Sequence, residues 1–202
     1  MRDCVVVLKL ADHLPKLNDV DYIGADKGAL FLARKKQRMV FAIGDFDSVS
    51  DNEQGWIELY SDEVISLNTV KNNSDSEAAV DEAIRRGYRM IYIVGATGGR
   101  IDHEIVNIRL CMKYPDRVVL FDEKNYMRAL GEGPHRIHKN GYRYLSIFAQ
   151  NECEISVNGF KYELDHRIFT EKDLYGLSNE IIGETGEIYV HRGSVLIAQT
   201  ND

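Results

Sequence analysis

The sequence contains few cysteines, no signal-peptide pattern and no long apolar run. Three cysteines, Cys4, Cys111 and Cys153, are scattered over 202 residues and form no C-x-x-C motif. An odd, widely spaced set is typical of reduced thiols in a cytosolic protein. The first residues lack the charged and then apolar pattern of a signal peptide, and no run reaches the ~18 apolar residues of a membrane span. We therefore expect a cytoplasmic protein with no membrane partner.

Positive charge is also in the minority. The chain has 25 Lys and Arg against 32 Asp and Glu, which gives a formal net charge of -7. This balance argues against nucleic acid as a partner, because general nucleic-acid binding needs a basic face. An anionic substrate would have to be held by metal ions or by local basic residues. The length allows one large or two small domains, and 44% hydrophobic residues can fill a real core.

The first part of the chain alternates short apolar strands with helices. Strands are predicted near 4–8, 22–25, 39–43, 64–67, 90–94 and 117–121, and helices at 27–36, 51–60, 74–86 and from 101 onward. Repeated βα units of this length predict an α/β domain whose sheet is mostly parallel, with helices on both faces.

The helices differ in how clearly their buried faces can be predicted. Ser74 and Glu77 form a capping-box pattern at the start of the helix over 74–86, and Gly87 ends it. On the preceding helix we expect Trp56 and Leu59 to face the core. The buried face of the helix after residue 100 is predicted from four apolar residues at helical spacing: Ile101, Ile105, Ile108 and Met112.

After about residue 123 the pattern changes to short strands without helices. Asn140-Gly141 and Asn158-Gly159 predict hairpins, and strands flanking Arg192-Gly193 predict a last one. Period-two alternation predicts strands over 153–157 and 160–164. We expect a smaller all-β antiparallel sandwich or barrel. The predicted domains are 1–125, α/β and catalytic, and 131–202, all-β, with the seam at Gly131 to Pro134.

Four polar clusters follow predicted strands of the first domain. They are Asp26, the pair Asp45 and Asp47, the pair Asp75 and Glu77, and the run Gly98-Gly99-Arg100 with Asp102 and His103. Because the carboxyl ends of parallel strands meet at one edge of a sheet, we expect these clusters to converge. Carboxylates, a glycine loop and basic side chains together suit metal-assisted phosphoryl transfer.

Each cluster also has a purely structural interpretation. Helix starts favour Asp75 and Glu77 without any function. Gly98-Gly99 fits a tight strand-to-helix turn as well as a phosphate loop. Four other histidines share no metal-ligand spacing and are expected to be ordinary residues: His135, His138, His166 and His191.

Two known patterns match part of these residues. Gly95-Ala96-Thr97-Gly98, with Asp122 as ribose acid, resembles a dinucleotide fingerprint, but Ile101 stands where the third glycine belongs. A dehydrogenase is therefore disfavoured. Asp45-x-Asp47-Ser48-Val49 resembles the nucleophile loop of haloacid-dehalogenase-like phosphatases, without the downstream lysine and paired acids that would complete it.

A third resemblance spans essentially the whole chain. Four ordered motifs resemble those of the thiamine pyrophosphokinase family: Ala25-Asp26-Lys27-Gly28-Ala29, Ile43-Gly44-Asp45-Phe46-Asp47-Ser48, Ser74-Asp75-Ser76-Glu77, and Gly98-Gly99-Arg100-Ile101-Asp102-His103 with Asn107. The C-terminal similarity is weaker and lies in the segments 159–164 and 176–180, the second containing the family's Ser-Asn element.

The resemblance implies transfer of the β,γ-diphosphate of ATP to the hydroxyl of thiamine, releasing AMP. It implies that Asp45, Asp47 and Asp75 hold Mg²⁺, that Gly98, Gly99 and Arg100 hold phosphate oxygens, and that Asp102 orients or deprotonates the hydroxyl. Further contacts to ATP are implied for Asp26, Lys27, Ser48, His103 and Asn107, and contacts to thiamine for Ser178 and Asn179. Family members are homodimers, with sites between the α/β domain of one subunit and the β domain of the other.

Two departures from the family pattern matter for these roles. Asn72 stands where the family often has an acidic residue, and Lys27 stands where it has the first glycine of a pair. Lys27 therefore either adds positive charge near the phosphates or points to solvent. The alternatives to the kinase are a phosphatase with Asp45 as nucleophile and a non-catalytic nucleotide-binding module.

Overall fold

Strands and helices alternate through the first half of the computed structural model, which describes residues 2–68 and 73–202. The chain divides into two units, Met1–Leu110 (unit 1) and Cys111–Asp202 (unit 2). In unit 1 the elements are, in order, β1 (Asp3–Val7), β2 (Val20–Ala25), α1 (Lys27–Arg34), β3 (Phe41–Gly44), α2 (Asp51–Tyr60), β4 (Val64–Ser66), α3 (Asp75–Arg85), β5 (Ile91–Val94) and α4 (Ile101–Lys113), whose last residues belong to unit 2.

The strands of unit 1 pair side by side in the order β4-β3-β2-β1-β5, and every pairing is parallel. The predicted α/β arrangement is confirmed. Residues 4–7 of β1 and all of β3 are buried, as expected for parallel strands covered on both faces. Since the strands share one direction, β2, β3 and β4 end at the same edge of the sheet, where the acidic motifs begin.

The buried face of α2 differs from the prediction. Ile57 is fully buried, whereas Trp56 is 50% and Leu59 67% exposed. Neighbouring residues on a helix are about 100° apart, so an inward Ile57 turns Trp56 to the side and Leu59 away from the core. The expectation that Trp56 and Leu59 face inward was wrong.

The buried face of α4 also differs. Ile101 is 70% and Ile105 45% exposed, while Asn107, Leu110 and Cys111 are buried. Asn107 can occupy an inward position because its Nδ2 donates a hydrogen bond to the carbonyl of Ala96, 3.0 Å away. The predicted apolar stripe is therefore wrong for the first turns of this helix.

The start of α3 agrees with the sequence. Ser74 is its N-cap, and the Ser74 hydroxyl accepts the backbone N–H of Glu77 at 3.2 Å. The helix buries Ala79, Val80 and Ala83. Nowhere in residues 2–68 and 73–202 is a helix both long and apolar enough to span a bilayer.

Unit 2 consists of two antiparallel sheets, which confirms the predicted all-β class. Its strands are β6 (Val118–Phe121), β7 (Asn125–Leu130), β8 (Gly133–His138), β9 (Tyr144–Ala149), β10 (Cys153–Asn158), β11 (Leu164–Phe169), β12 (Thr185–Arg192) and β13 (Val195–Thr200). One sheet runs β6-β7-β13-β9 and the other β11-β10-β12-β8. Inward residues of both sheets, such as Ile147 and Ile197 from one and Ile155 and Ile188 from the other, form one core.

Only one of the three predicted hairpins is present. Asn158-Gly159 leads from β10 to β11, which pair with each other. Asn140-Gly141 makes a tight turn with φ of 48° and 83°, yet the flanking β8 and β9 lie in different sheets. The turn at Arg192-Gly193 likewise leads from one sheet to the other. Turn residues specify a reversal of the chain, whereas burial decides which strand becomes the partner.

Two other expectations for this part of the chain can be compared with the structure. Residues 160–163, predicted to be strand, form the loop between β10 and β11, and Phe160 is buried in it. Gly131 to Pro134, the expected seam, spans the end of the β7–β8 connection within unit 2. The domain limits 1–125 and 131–202 remain a prediction.

A pair of glycines offers a test of the packing in unit 1. A Cβ on Gly28 would lie 1.9 Å from the backbone oxygen of Val7, whereas a Cβ on Gly55, inside α2, would meet nothing within 4 Å. We expect Gly28→Ala to destabilise the fold by about 2 kcal/mol or more, since backbone must move. Gly55→Ala should stabilise it by up to ~1 kcal/mol. Urea unfolding measures both, and equal stability of the two variants would contradict this packing.

Candidate active site

A cavity of about 170 Å³ lies in unit 1 where β1, β2 and β5 end and α3 and α4 begin. Six residues singled out from the sequence line it: Asp26, Asp75, Gly99, Arg100, His103 and Asn107. The parallel topology brings them together, because Asp26, Gly99 and Arg100 follow the carboxyl end of a strand and the other three lie in the first two turns of α3 or α4. The cavity thus combines acidic groups on one side with a glycine-arginine loop on the other.

Asp26 is the most constrained of these residues. It lies between β2 and α1 with φ of 48°, and its Oδ1 is buried without a hydrogen-bond partner. Burial raises the pKa of the Asp26 carboxyl, and the negative charges of Asp75 and Asp45 raise it further, against a lowering by the Lys27 backbone N–H. An ionised Asp26 is therefore held in an unfavourable field that a cation would relieve.

The loop after β3 is shaped by Phe46. This residue has φ of 53°, which is rare for a bulky side chain, and its ring is 8% exposed. Asp47 is exposed, and its N–H donates to the Asp45 carboxylate at 3.3 Å. The loop therefore buries Phe46 and leaves Asp47 exposed and Asp45 half-buried.

Oxygen donors of this kind fit a hard cation such as Mg²⁺. Asp26 supplies an orphaned buried oxygen, and Asp45 and Asp75 lie close enough to raise its pKa. Among residues 2–68 and 73–202, no three acidic, histidine or cysteine side chains already stand in a coordination geometry. The donor set is suited to a cation, whose binding would bring the carboxylates together.

The hydrogen-bond donors just before α4 are paired with acidic residues in the first turn of this helix. The Gly99 N–H donates to Glu104 Oε1 at 2.7 Å, and Arg100 forms two hydrogen bonds to the Asp102 carboxylate at 3.1 and 2.5 Å. The bond from Arg100 lowers the pKa of Asp102 to about 2. A bound phosphate would replace Glu104 at Gly99 and compete with Asp102 for Arg100.

Several predicted residues lie outside this cavity. Lys27, Asp47, Ser48, Gly98 and Asp102 are exposed and do not line it. Asp45 is half-buried and connects to the cavity through its effect on Asp26. Asn72 lies outside the residues that the structure describes.

The structure adds residues that the sequence reasoning missed. Ser76, 7% exposed, lines the cavity and shares a 3.0 Å hydrogen bond with Ser74. Glu104 accepts the hydrogen bond of the Gly99 N–H, and Leu10 forms part of the cavity wall. Ser76 belongs to the motif Ser74-Asp75-Ser76-Glu77, but the sequence did not show that its side chain is buried. Leu10 follows β1 in a loop without a recognisable pattern.

A second cavity, of about 320 Å³, lies in unit 2 and is mainly apolar. Its lining residues are Ile147, Tyr162, Leu164, Phe169, Tyr175, Gly176, Leu177 and Asn179. Of the two residues predicted to contact thiamine, Asn179 lines this cavity, whereas Ser178, with φ of 55°, is not among the lining residues. The aromatic side chains Tyr162, Phe169 and Tyr175 were not predicted, because their convergence depends on three separate segments.

Comparison with known families agrees with both halves of the chain. Residues 16–121 match the family described as thiamin pyrophosphokinase, catalytic domain, and residues 134–195 match thiamin pyrophosphokinase, vitamin B1 binding domain. A thiamine pyrophosphokinase of Bacillus subtilis (strain 168) is 31% identical over 187 residues, which cover 90% of this chain and 87% of that protein.

Solved structures give the same result. A thiamin pyrophosphokinase family protein from Enterococcus faecalis superposes with a TM-score of 0.88 at 25% identity, covering 99% of both chains. A thiamine pyrophosphokinase from Bacillus subtilis gives a TM-score of 0.87 at 28% identity, covering 98% of both. A thiamin pyrophosphokinase from Candida albicans, 17% identical with a TM-score of 0.80 and coverage of 98% and 90%, shares the fold.

The burial of Asp26 and the negative charges near it predict that neutralising this residue changes the stability of the protein. Asp26→Asn removes a buried charge that Asp45 and Asp75 repel, and asparagine tolerates the positive φ. We expect the melting temperature of the ligand-free protein at neutral pH to rise by a few degrees, on the order of a 1 kcal/mol gain. Asp19→Asn, at an exposed aspartate that also has positive φ, is the control. A lower melting temperature for Asp26→Asn alone would contradict the repulsion.

Proposed function

The chain belongs to the thiamine pyrophosphokinase family, and we propose that it transfers the diphosphate of ATP to the hydroxyl of thiamine, giving thiamine diphosphate and AMP. The observation that carries this proposal is the buried, unpartnered Asp26 oxygen beside Asp45 and Asp75, on a cavity that also contains Gly99 and Arg100. This combination suits a cation and polyphosphate together. A cation alone would not need the glycine-arginine side of the cavity.

We assign Asp45, Asp47 and Asp75 to Mg²⁺, directly or through water, with Asp26 beside them. Mg²⁺, when bound, offsets the charge of the phosphates and of the developing transition state. The exposed position of Asp47 and the half-buried position of Asp45 leave their oxygens accessible from solvent. Support for Asp26 comes from its buried Oδ1, which has no hydrogen-bond partner; a cation beside it would offset the burial and the negative charges that raise the pKa of this carboxyl.

The polyphosphate is assigned to the loop that begins α4. Gly98, Gly99 and Arg100 would bind phosphate oxygens, with Lys27, Ser48 and His103 as further polar contacts to ATP. Asn107 supports the loop through its hydrogen bond to Ala96. Because Gly99 and Arg100 now bond to Glu104 and Asp102, ATP binding has to exchange carboxylates for phosphates.

Asp102 is assigned to the thiamine hydroxyl. With its pKa lowered to about 2, the carboxylate is a hydrogen-bond acceptor that orients the hydroxyl and a weak base in the pairing with Arg100. Engagement of Arg100 by phosphate removes the bond that depresses this pKa. Asp102 then becomes more basic at the stage when the hydroxyl attacks, although phosphoryl transfer depends mostly on positioning and charge.

Thiamine is assigned to the cavity of unit 2. The thiazolium is a cationic aromatic ring, which suits a wall of Tyr162, Phe169 and Tyr175. The cavity size of about 320 Å³ is adequate for a small heterocyclic ligand. Ser178 and Asn179 adjoin this wall, and we retain both in the proposed thiamine site.

Product analysis tests the function. With thiamine and Mg-ATP we expect AMP and thiamine diphosphate in equal amounts. Release of inorganic phosphate without thiamine diphosphate would instead support a phosphatase using Asp45. Unchanged ATP with measurable Mg-ATP binding would support a nucleotide-binding module.

The metal assignment predicts the behaviour of Asp47→Asn. This variant should lose most activity and most of the rise in melting temperature caused by Mg-ATP, since ligand at a hundredfold excess over its Kd stabilises by ~2.7 kcal/mol. Asp51→Asn, which removes the same charge in the first turn of α2, should retain both. An Asp47→Asn protein with wild-type activity and stabilisation would exclude Asp47 from the metal site.

We infer that the protein is a homodimer, as the family resemblance implies. Light scattering coupled to size exclusion should then give about twice the chain mass of 23.1 kDa. A mass of one chain across the concentrations used for activity would contradict the inference.

A further inference from the structure

Asn179 is a polar residue in a mainly apolar cavity lining. The residue is 8% exposed. The amide makes three hydrogen bonds within the chain. Asn179 Oδ1 accepts the backbone N–H of Tyr162 and that of Glu180, both at 3.0 Å, and Nδ2 donates to the Tyr162 carbonyl at 2.8 Å. One N–H of the amide remains beyond these bonds. Most of the hydrogen-bonding capacity of Asn179 is therefore used to hold Tyr162.

The backbone of Asn179 is itself firmly held. Its N–H donates to the carbonyl of Leu145 at 2.9 Å, and its carbonyl accepts the Leu145 N–H at 2.8 Å. This two-bond bridge fastens Asn179 to β9, whose Leu145 and Ile147 are buried in the core. Asn179 thus connects a rigid strand to the loop that contains Tyr162.

The Tyr162 side chain has the Lys161 Nζ 5.7 Å from the centre of its ring. It is 61% exposed and lies in the loop between β10 and β11, yet it forms part of the cavity wall. Both hydrogen-bonding groups of its backbone, the N–H and the carbonyl, go to the Asn179 amide. Neighbouring loop positions are tied elsewhere, Lys161 N–H to the Glu180 carbonyl and Gly159 N–H to Glu163. The Asn179 amide consequently holds the backbone from which the Tyr162 ring extends.

We propose that Asn179 is a positioning residue for thiamine, which fixes the Tyr162 ring against the substrate instead of binding the substrate itself. The inference rests on the proposed thiamine reaction and changes the role of Asn179 within it from contact to support. An amide is required because the Tyr162 backbone presents a donor and an acceptor side by side. An aspartate in this position would keep the accepted bonds and lose the donated one.

A double-mutant cycle separates positioning from contact. Asn179→Ala and Tyr162→Ala are made singly and together, and KM for thiamine, KM for ATP and kcat are measured. We expect each single variant to raise KM for thiamine about tenfold, with KM for ATP unchanged, because the lost interactions are worth one to a few hydrogen bonds or a stacked ring. In the double variant, KM for thiamine should rise no more than it does in Tyr162→Ala alone, because Asn179 then has no ring left to position.

Asn201→Ala is the matched control. Asn201 also bridges backbone groups in unit 2, accepting the Arg143 N–H at 2.9 Å and donating to the Gly141 carbonyl at 3.1 Å, and it does not line the cavity. It should leave KM for thiamine unchanged while lowering the melting temperature. If Asn179→Ala does not fold, Asn179→Asp takes its place in the cycle, with a smaller increase that Tyr162→Ala again abolishes.

The outcomes are distinct. If the increases in KM for thiamine of the two single variants multiply in the double variant, Asn179 contacts thiamine directly. If KM for thiamine is unchanged in Asn179→Ala, Asn179 has no role in binding. Either result, in an active wild type, overturns the inference alone. A wild type that forms no thiamine diphosphate overturns the proposed function, and this inference with it.

Discussion

Burial of the Asp26 carboxylate beside Asp75 and Asp45, at one edge of the parallel sheet, is the constraint on which the candidate site of unit 1 depends. Three neighbouring strands, β2, β3 and β4, run in one direction, so the acids that follow them converge. Asp26 is held there by its backbone conformation with an unpartnered buried oxygen. The folded chain tolerates this unfavourable field, which the cation and polyphosphate of the proposed function would relieve. Binding and local stability are therefore linked at this edge.

Unit 2 meets a different requirement. Its two sheets bury an apolar core, and the loop and strand ends beside that core form the aromatic cavity. Asn179 is the polar connection between the two, because it is fixed to β9 on one side and holds Tyr162 on the other. The buried core thereby holds the backbone of Tyr162, whose exposed side chain borders the cavity.

The sequence predicted the fold class and brought six candidate residues to one cavity, but it predicted less well the details that depend on tertiary packing. Strands such as β1 and β3 and the capped start of α3 follow from apolar runs and Ser74. Trp56, Leu59, Ile101 and Ile105 were expected inside and are exposed, since a short helix buries only the stripe that its neighbours cover. Asn140-Gly141 correctly marks a turn, but the partner of each strand is set by the sandwich. Tyr162, Phe169 and Tyr175 converge through topology that local pattern does not contain.

Metal binding measured with Mn²⁺, which takes the same oxygen ligands as Mg²⁺, tests the central claim most directly. Electron paramagnetic resonance of free Mn²⁺ can be followed as protein is added with and without ATP. We expect ATP to strengthen Mn²⁺ binding in the wild type, and we expect Asp45→Asn and Asp75→Asn each to abolish most of this binding. Variants that bind Mn²⁺ with ATP as tightly as the wild type would contradict it.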